Sequence, residues 1–265
     1  MNSKLINVKN DTVQNCNGCS NPNVLDFDFE YAFQPIVHLA TKTIYAHEAL
    51  IRGVNGEGSH TILSKVNLHN VYKFDQACRV KAVKTAAELK MKSLLSINFM
   101  PNAVYRPELC IRTTLEAAEQ YNFPAENIIF EFTEGEQIDT NHLRGIIAEY
   151  KKLGFKTAID DFGAGYAGLS LLVKFQPDIV KIDMELLRNI DSDKPRQIVV
   201  SALVKMCHEL QVEVLAEGVE TMGERDYLAD QGVNLMQGYL FARPAFKSIG
   251  IVNENAWLKS LKLAS

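Results

Sequence analysis

Lys156-Thr157-Ala158-Ile159-Asp160-Asp161-Phe162-Gly163 is the stretch that decides the fold. A short apolar run of strand character ends in two carboxylates and opens into a glycine-bearing loop. The same shape recurs on either side. Upstream, Ile44-Tyr45-Ala46-His47 leads to Glu48, Leu94-Leu95-Ser96-Ile97 to Asn98, and Ile128-Ile129-Phe130 to Glu131. Downstream, Ile179-Val180 leads to Lys181, Val212-Glu213-Val214-Leu215-Ala216 to Glu217, and Val233-Asn234-Leu235-Met236 to Gln237. Segments with helical apolar spacing separate most of these runs, so the chain alternates strand and helix. In a parallel barrel of that kind the strand C-termini share one rim, and the rim is where chemistry is done. The polar strand ends are therefore expected to converge on one pocket.

Outward from these runs, Glu30 to His38 reads as a first strand, and Thr43 to Ile51 follows after Thr41-Lys42. That separation suits a hairpin, whereas a parallel crossover needs about a dozen residues or more. The expected fold is thus a TIM-like (β/α) barrel with one antiparallel strand, its first strand pair a hairpin. Helices are expected over 75–89, 107–121, 140–153, 168–175, 194–210 and 224–231, with Pro107 near a first turn and Gly154 and Gly232 as terminators. Residues 1–26, rich in Asn, Asp, Ser and Gly, read as a flexible N-terminal lead, and 27–265 as one barrel domain closed by a C-terminal helix over 255–263.

The bulk properties exclude several classes. A chain of 265 residues suits one large α/β domain. Its 28 basic and 32 acidic residues give a formal charge of -4, which argues against bulk nucleic acid as a partner. No hydrophobic leader and no apolar run of roughly 18 residues is present, so no membrane association and a cytoplasmic location are expected. Five cysteines at 16, 19, 78, 110 and 207 form no disulfide framework. Cys16 and Cys19 have C-x2-C spacing but no second pair to complete a structural zinc site.

Adjacent carboxylates at Asp160 and Asp161 repel each other unless cations compensate them. In an extended backbone their side chains would diverge, letting one bridge two metals while the other binds one. A helix cap with a glycine turn is the competing reading of this motif alone. Glu48, Asn98, Glu131, Asp160 and Asp161 together offer only oxygen, which suits magnesium or manganese and not zinc. A pair of such ions is the usual device for in-line displacement at phosphorus. Lys181 fits a role in binding a nucleophilic water or neutralising phosphoryl charge, and Glu217 a role in taking the water's proton. For either residue alone, a buried structural ion pair is an equally good account.

Glu48-Ala49-Leu50 within His47-Glu48-Ala49-Leu50-Ile51-Arg52, the upstream Gln34-Pro35-Ile36, and Asp160-Asp161-Phe162-Gly163 resemble the EAL family of cyclic di-GMP phosphodiesterases. Lys181-Ile182-Asp183, Ala216-Glu217-Gly218-Val219-Glu220 and Gln237-Gly238-Tyr239 do so as well, in the family's order, from about Phe27 to Pro244. The resemblance implies hydrolysis of cyclic di-GMP to linear pGpG with two magnesium or manganese ions per site. It implies metal ligands at Glu48, Asn98, Glu131, Asp160 and Asp161, with Asp160 bridging. Lys181, Glu217 and Gln237 match the catalytic positions, the family's water-handling and second-metal residues. Gln34, Leu50, Arg52 and Asp183 match substrate-binding positions, and Glu134 matches a glutamate that anchors the loop after Asp161. That loop, roughly 162–171, is linked in the family to dimerisation, so a homodimer is implied. Ala164 stands where the family most often has threonine, Gly53 where tryptophan is common, and Met100 where serine is expected. None of these departures removes a ligand. The alternative is a catalytically silent cyclic di-GMP receptor signalling through its dimer surface; degenerate relatives of that kind usually lack a metal or lysine position that this chain keeps.

Overall fold

The structure, a computed structural model, describes residues 25–104, 106–133, 140–164 and 168–258. Residues 1–24 with Cys16 and Cys19, Glu134, and the end of the expected C-terminal helix lie outside the described residues.

Among the described residues nine strands form one sheet: β1 (Glu30–His38), β2 (Thr43–Arg52), β3 (Leu94–Asn98), β4 (Ile128–Thr133), β5 (Lys156–Phe162), β6 (Ile179–Ile182), β7 (Glu213–Ala216), β8 (Leu235–Met236) and β9 (Ala245–Phe246). Strands β2 to β8 pair in parallel and in sequence order, and β1 closes the barrel by pairing antiparallel with β2 on one side and β8 on the other. The single antiparallel strand expected from the hairpin is therefore β1. Its Pro35 lies between the two stretches that β1 pairs on its second edge, residues 37–38 with β8 and 32–33 with β9, where a missing N–H leaves no ladder bond unmade.

Around the barrel run α1 (Ser59–Leu63), α2 (Val71–Glu88), α3 (Pro107–Cys110), α4 (Arg112–Gln120), α5 (Thr140–Lys152), α6 (Gly168–Phe175), α7 (Met184–Leu187), α8 (Lys194–Glu209) and α9 (Met222–Asp230). The expected single helix over 107–121 is interrupted at Ile111. Gln76 of α2 donates to the Cys110 carbonyl at 2.8 Å, and the Thr114 amide turns instead to Ile111. Helix α9 starts at Met222 and not at Glu224, because Thr221 and Glu224 form a reciprocal capping box. Of the expected C-terminal helix, the described part is a 3-10 turn, Glu254–Trp257, after which Leu258 is extended. It packs on the barrel exterior, with Ala256 buried and Trp257 against Phe241.

Between sheet and helices lies an aromatic-rich core. Phe130 meets Tyr150 at 4.8 Å, Phe155 at 5.1 Å and Phe99 at 5.6 Å between ring centroids. Each such pair adds about 0.5–1.5 kcal/mol beyond its buried area. Inside the barrel, a separate apolar layer takes one residue from each of β1 to β8: Ile36, Ala46, Leu94, Ile129, Ala158, Ile179, Leu215 and Leu235.

Candidate active site at the barrel rim

Side chains along a strand alternate between faces, so the residue two positions beyond each member of the apolar layer also points inward. On the parallel strands these residues are Glu48, Ser96, Glu131, Asp160, Lys181, Glu217 and Gln237; on antiparallel β1 the count runs backward to Gln34. All are buried except Glu217, which is partly exposed. One strand period thus converts a dry layer into a polar one at the C-terminal rim. Ser96 belongs to this ring and escaped the sequence reading, since a serine within a strand carries no signal until its inward neighbours are known.

Lys181 sits at the ring's centre with 1% of its side chain exposed. Its Nζ lies 2.7 Å from Asp160 Oδ1, 2.8 Å from Glu217 Oε1, 3.0 Å from Glu131 Oε2 and 3.8 Å from Glu48 Oε1. Ser96 donates to Glu131 Oε1 at 2.5 Å, so Glu131 is held from both oxygens. Asn98 donates to Glu48 Oε1 at 3.1 Å and Gln237 to Glu48 Oε2 at 2.8 Å; Gln237 also donates to Gln34 at 3.2 Å. The loop carrying Glu217 and the loop carrying Gln237 are zipped together by Val219, which bonds the Gln237 carbonyl through its amide and the Leu240 amide through its carbonyl. Gly238 is required there, because a Cβ would run into the Val219 backbone.

Asp161 corrects the expectation of an extended backbone. Its φ is +54°, in the left-handed region, and β5 shifts register between Ile159 and Phe162. A regular strand would turn Asp161 outward to the helices. The bulge returns it to the rim, where carboxylate oxygens of Asp160, Asp161 and Glu217 lie within 4.8 Å of one another.

A cleft of about 260 Å³ opens over the ring, lined by Gln34, Glu48, Asp161, Asp183, Glu217 and Gln237 among others. Asp183 also caps α7, accepting from the Glu185 amide at 2.7 Å. Leu50, Arg52 and Asn98 line a neighbouring, mainly apolar cavity of about 340 Å³ with Phe99 and Met100. Arg52 donates to the Ile51 carbonyl at 2.8 Å. The predicted site residues among those described are therefore gathered at one rim but divided between two adjoining spaces.

The electrostatics are those of too much negative charge. Burial pushes Glu131 up to about 8, against the pull of Lys181, with Glu48 and Asp160 adding to the rise. Burial likewise raises Glu217 well above the carboxylate range, opposed by Lys181. Asp161 is raised by burial and by Asp160 and Asp183. Burial alone would lower Lys181, but Asp160, Glu131, Glu217 and Glu48 outweigh it and hold the ammonium charged. One lysine does not balance these carboxylates. The donors fit divalent cations: Glu48, Glu131 and Asp160 form one oxygen triad, Asp160, Asp161 and Glu217 another, and Asp160 is common to both. Asp160 Oδ1 and Gln237 Oε1 are buried without a hydrogen-bond donor, although the former lies beside Lys181. The six histidines stay outside the ring's chemistry. His47 is buried on the strand's other face, bonded to Ser93 at 2.7 Å, with its pKa lowered by burial to about 4.

The EAL domain model matches residues 24–244. The chain belongs to the EAL domain family. A standalone versatile EAL protein from Vibrio cholerae O395, solved in a c-di-GMP bound form, is 56% identical; it superposes with a TM-score of 0.86 over 88% of this chain and 99% of its own. Klebsiella pneumoniae BlrP1 in a manganese/cy-diGMP complex is 35% identical, with a TM-score of 0.80 over 86% of this chain and 59% of its own. The blue light- and temperature-regulated antirepressor BluF of Escherichia coli is 34% identical over 221 residues, 83% of this chain. This EAL chain spans about half of BluF's length, 55%. A shorter match is to a cyclic di-GMP phosphodiesterase, PdeR, of the same bacterium. No helix among the described residues of the EAL chain is long and apolar enough to cross a membrane.

Proposed function

We propose that this chain hydrolyses cyclic di-GMP to linear 5′-pGpG, using two magnesium or manganese ions held by Glu48, Asn98, Glu131, Asp160 and Asp161. The observation that carries the reading is the pair of carboxylate triads sharing Asp160 around one buried lysine. Divalent cations bound there supply Lewis acidity toward a phosphoryl oxygen and lower the pKa of bound water. Lys181 orients Asp160, Glu131 and Glu217 and lends positive charge beneath the reacting phosphate. Of the four carboxylates within reach of Lys181, Glu217 is the most open, with 18% of its side chain exposed, and it faces the cleft. In this reading it takes the water's proton. Gln237 buttresses Glu48 and keeps a buried oxygen free of hydrogen bonds. Gln34, Leu50, Arg52 and Asp183 line the two spaces in which the dinucleotide would lie, Arg52 providing a planar fork for phosphate. A homodimer is supported by Leu169 and Val173, 58% and 77% exposed one turn apart on α6.

Incubating the purified protein with cyclic di-GMP and Mg2+ or Mn2+, then chromatographing the products, tests the reading. Linear pGpG is expected, and Glu48→Ala abolishes its formation. Dinucleotide recovered bound but intact would instead establish the second reading, a silent receptor, which the likeness to the antirepressor BluF favours.

A further inference from the structure

We infer that Asp75 and Arg79, on the outer helix α2, position Asn98 and through it Glu48; the inference rests on the metal-site reading above. Both residues are buried, Asp75 3% and Arg79 0% exposed, and they form an ion pair one turn apart. A buried pair seldom stabilises a fold better than apolar side chains of like volume, so its presence calls for another account. One Asp75 oxygen takes Arg79; the other accepts the backbone N–H of Met100 at 3.0 Å. Arg79 is itself fixed, donating to the Tyr150 hydroxyl at 3.0 Å with its guanidinium 5.9 and 5.7 Å from the ring centroids of Phe99 and Phe130. Its Nε is buried without a partner, a cost that a pair selected only for stability would avoid. On the inner side, the Phe99 amide donates to the Glu131 carbonyl at 2.9 Å.

The two peptides after Asn98 are thus clamped from opposite directions, by β4 within the barrel and by Asp75 outside it. Asn98 then donates to Glu48 at 3.1 Å. Neither Asp75 nor Arg79 touches the cleft, so both are positioning residues.

Two double variants separate this role from simple structural support. Asp75→Leu with Arg79→Met removes both charges and leaves the Met100 amide without an acceptor. Asp75→Asn with Arg79→Met removes both charges but keeps a side-chain oxygen for that amide. Titrating chelator-stripped protein with Mn2+, with free Mn2+ followed by electron paramagnetic resonance, is expected to show a loss of about tenfold or more in affinity for the first variant. The second is expected to bind like the wild type, while metal-free melting temperatures of the two variants agree. Equal Mn2+ affinities in the two variants overturn the positioning role. Hydrogen exchange at Met100 in the wild type requires no variant to fold: protection is expected, and exchange at the rate of an open peptide overturns the clamp. A wild type that takes up no Mn2+ sinks the metal-site reading and this inference together, whereas uptake with indistinguishable variants sinks this inference alone.

Discussion

Lys181 is one ammonium among carboxylates, and its removal should be felt most when no cation is present. Breaking a buried pair costs about 3–5 kcal/mol. Lys181→Met is therefore expected to lose stability on that scale in chelator, by urea unfolding, and to regain much of it with Mn2+. At Glu217 the expectation is different. Glu217→Gln keeps the side-chain shape but removes the base, so kcat should fall about 10²–10⁴-fold with cyclic di-GMP binding retained; binding and turnover falling together would contradict the assigned role. At this scale the sequence was informative wherever a polar residue ended an apolar run. It was silent on Ser96, an ordinary strand residue whose Glu131 contact depends on a neighbouring strand. It misled on Asp161, expected extended and found left-handed, since backbone φ at a bulge follows from register and not from the local dipeptide.

Elements set the rim through strand period and loop packing. Gly238→Ala would force a methyl into the Val219 backbone, which cannot yield as a flexible side chain would. A cost of about 3 kcal/mol, at the upper end for overpacking, is expected in denaturant melts, with hydrolysis falling as Gln237 is displaced. The order of eight barrel strands and the antiparallel β1 were legible, because both follow from periodicity and connection length. Helix ends were less so. The break at Ile111 arises because Gln76 captures a carbonyl that helix 107–121 would have used, a tertiary event invisible along the chain. Short elements such as α1, α7 and β9 carry too few residues for a period to show. The Asp75–Arg79 pair gave no signal along the chain, and only the packing of Phe99, Phe130 and Tyr150 reveals that it faces inward.

For the whole molecule, pH and metal are linked through Glu131. In the metal-free fold it holds its proton up to about 8, whereas the unfolded chain releases it near the ordinary 4.5. Across that window the folded state binds more protons, so stability falls as pH rises. Calorimetry of chelated protein should show melting temperature declining from pH about 5 to about 8, Mn2+ reversing the decline most strongly at the upper end, and Glu131→Gln flattening it. Association is a separate test. Leu169→Glu with Val173→Glu should convert a dimer to monomer in light scattering, and an unchanged mass would remove α6 from the interface. The ring at the rim has one more consequence. Of the chain's 32 acidic and 28 basic residues, Glu48, Glu131, Asp160, Asp161, Glu217 and Lys181 leave 27 of each sign elsewhere, so the formal charge of -4 resides entirely in the site. With both sites filled by divalent ions, the formal charge of each chain would be zero. Its electrophoretic mobility at neutral pH should therefore fall toward nothing on loading, making migration in a field a direct gauge of occupancy.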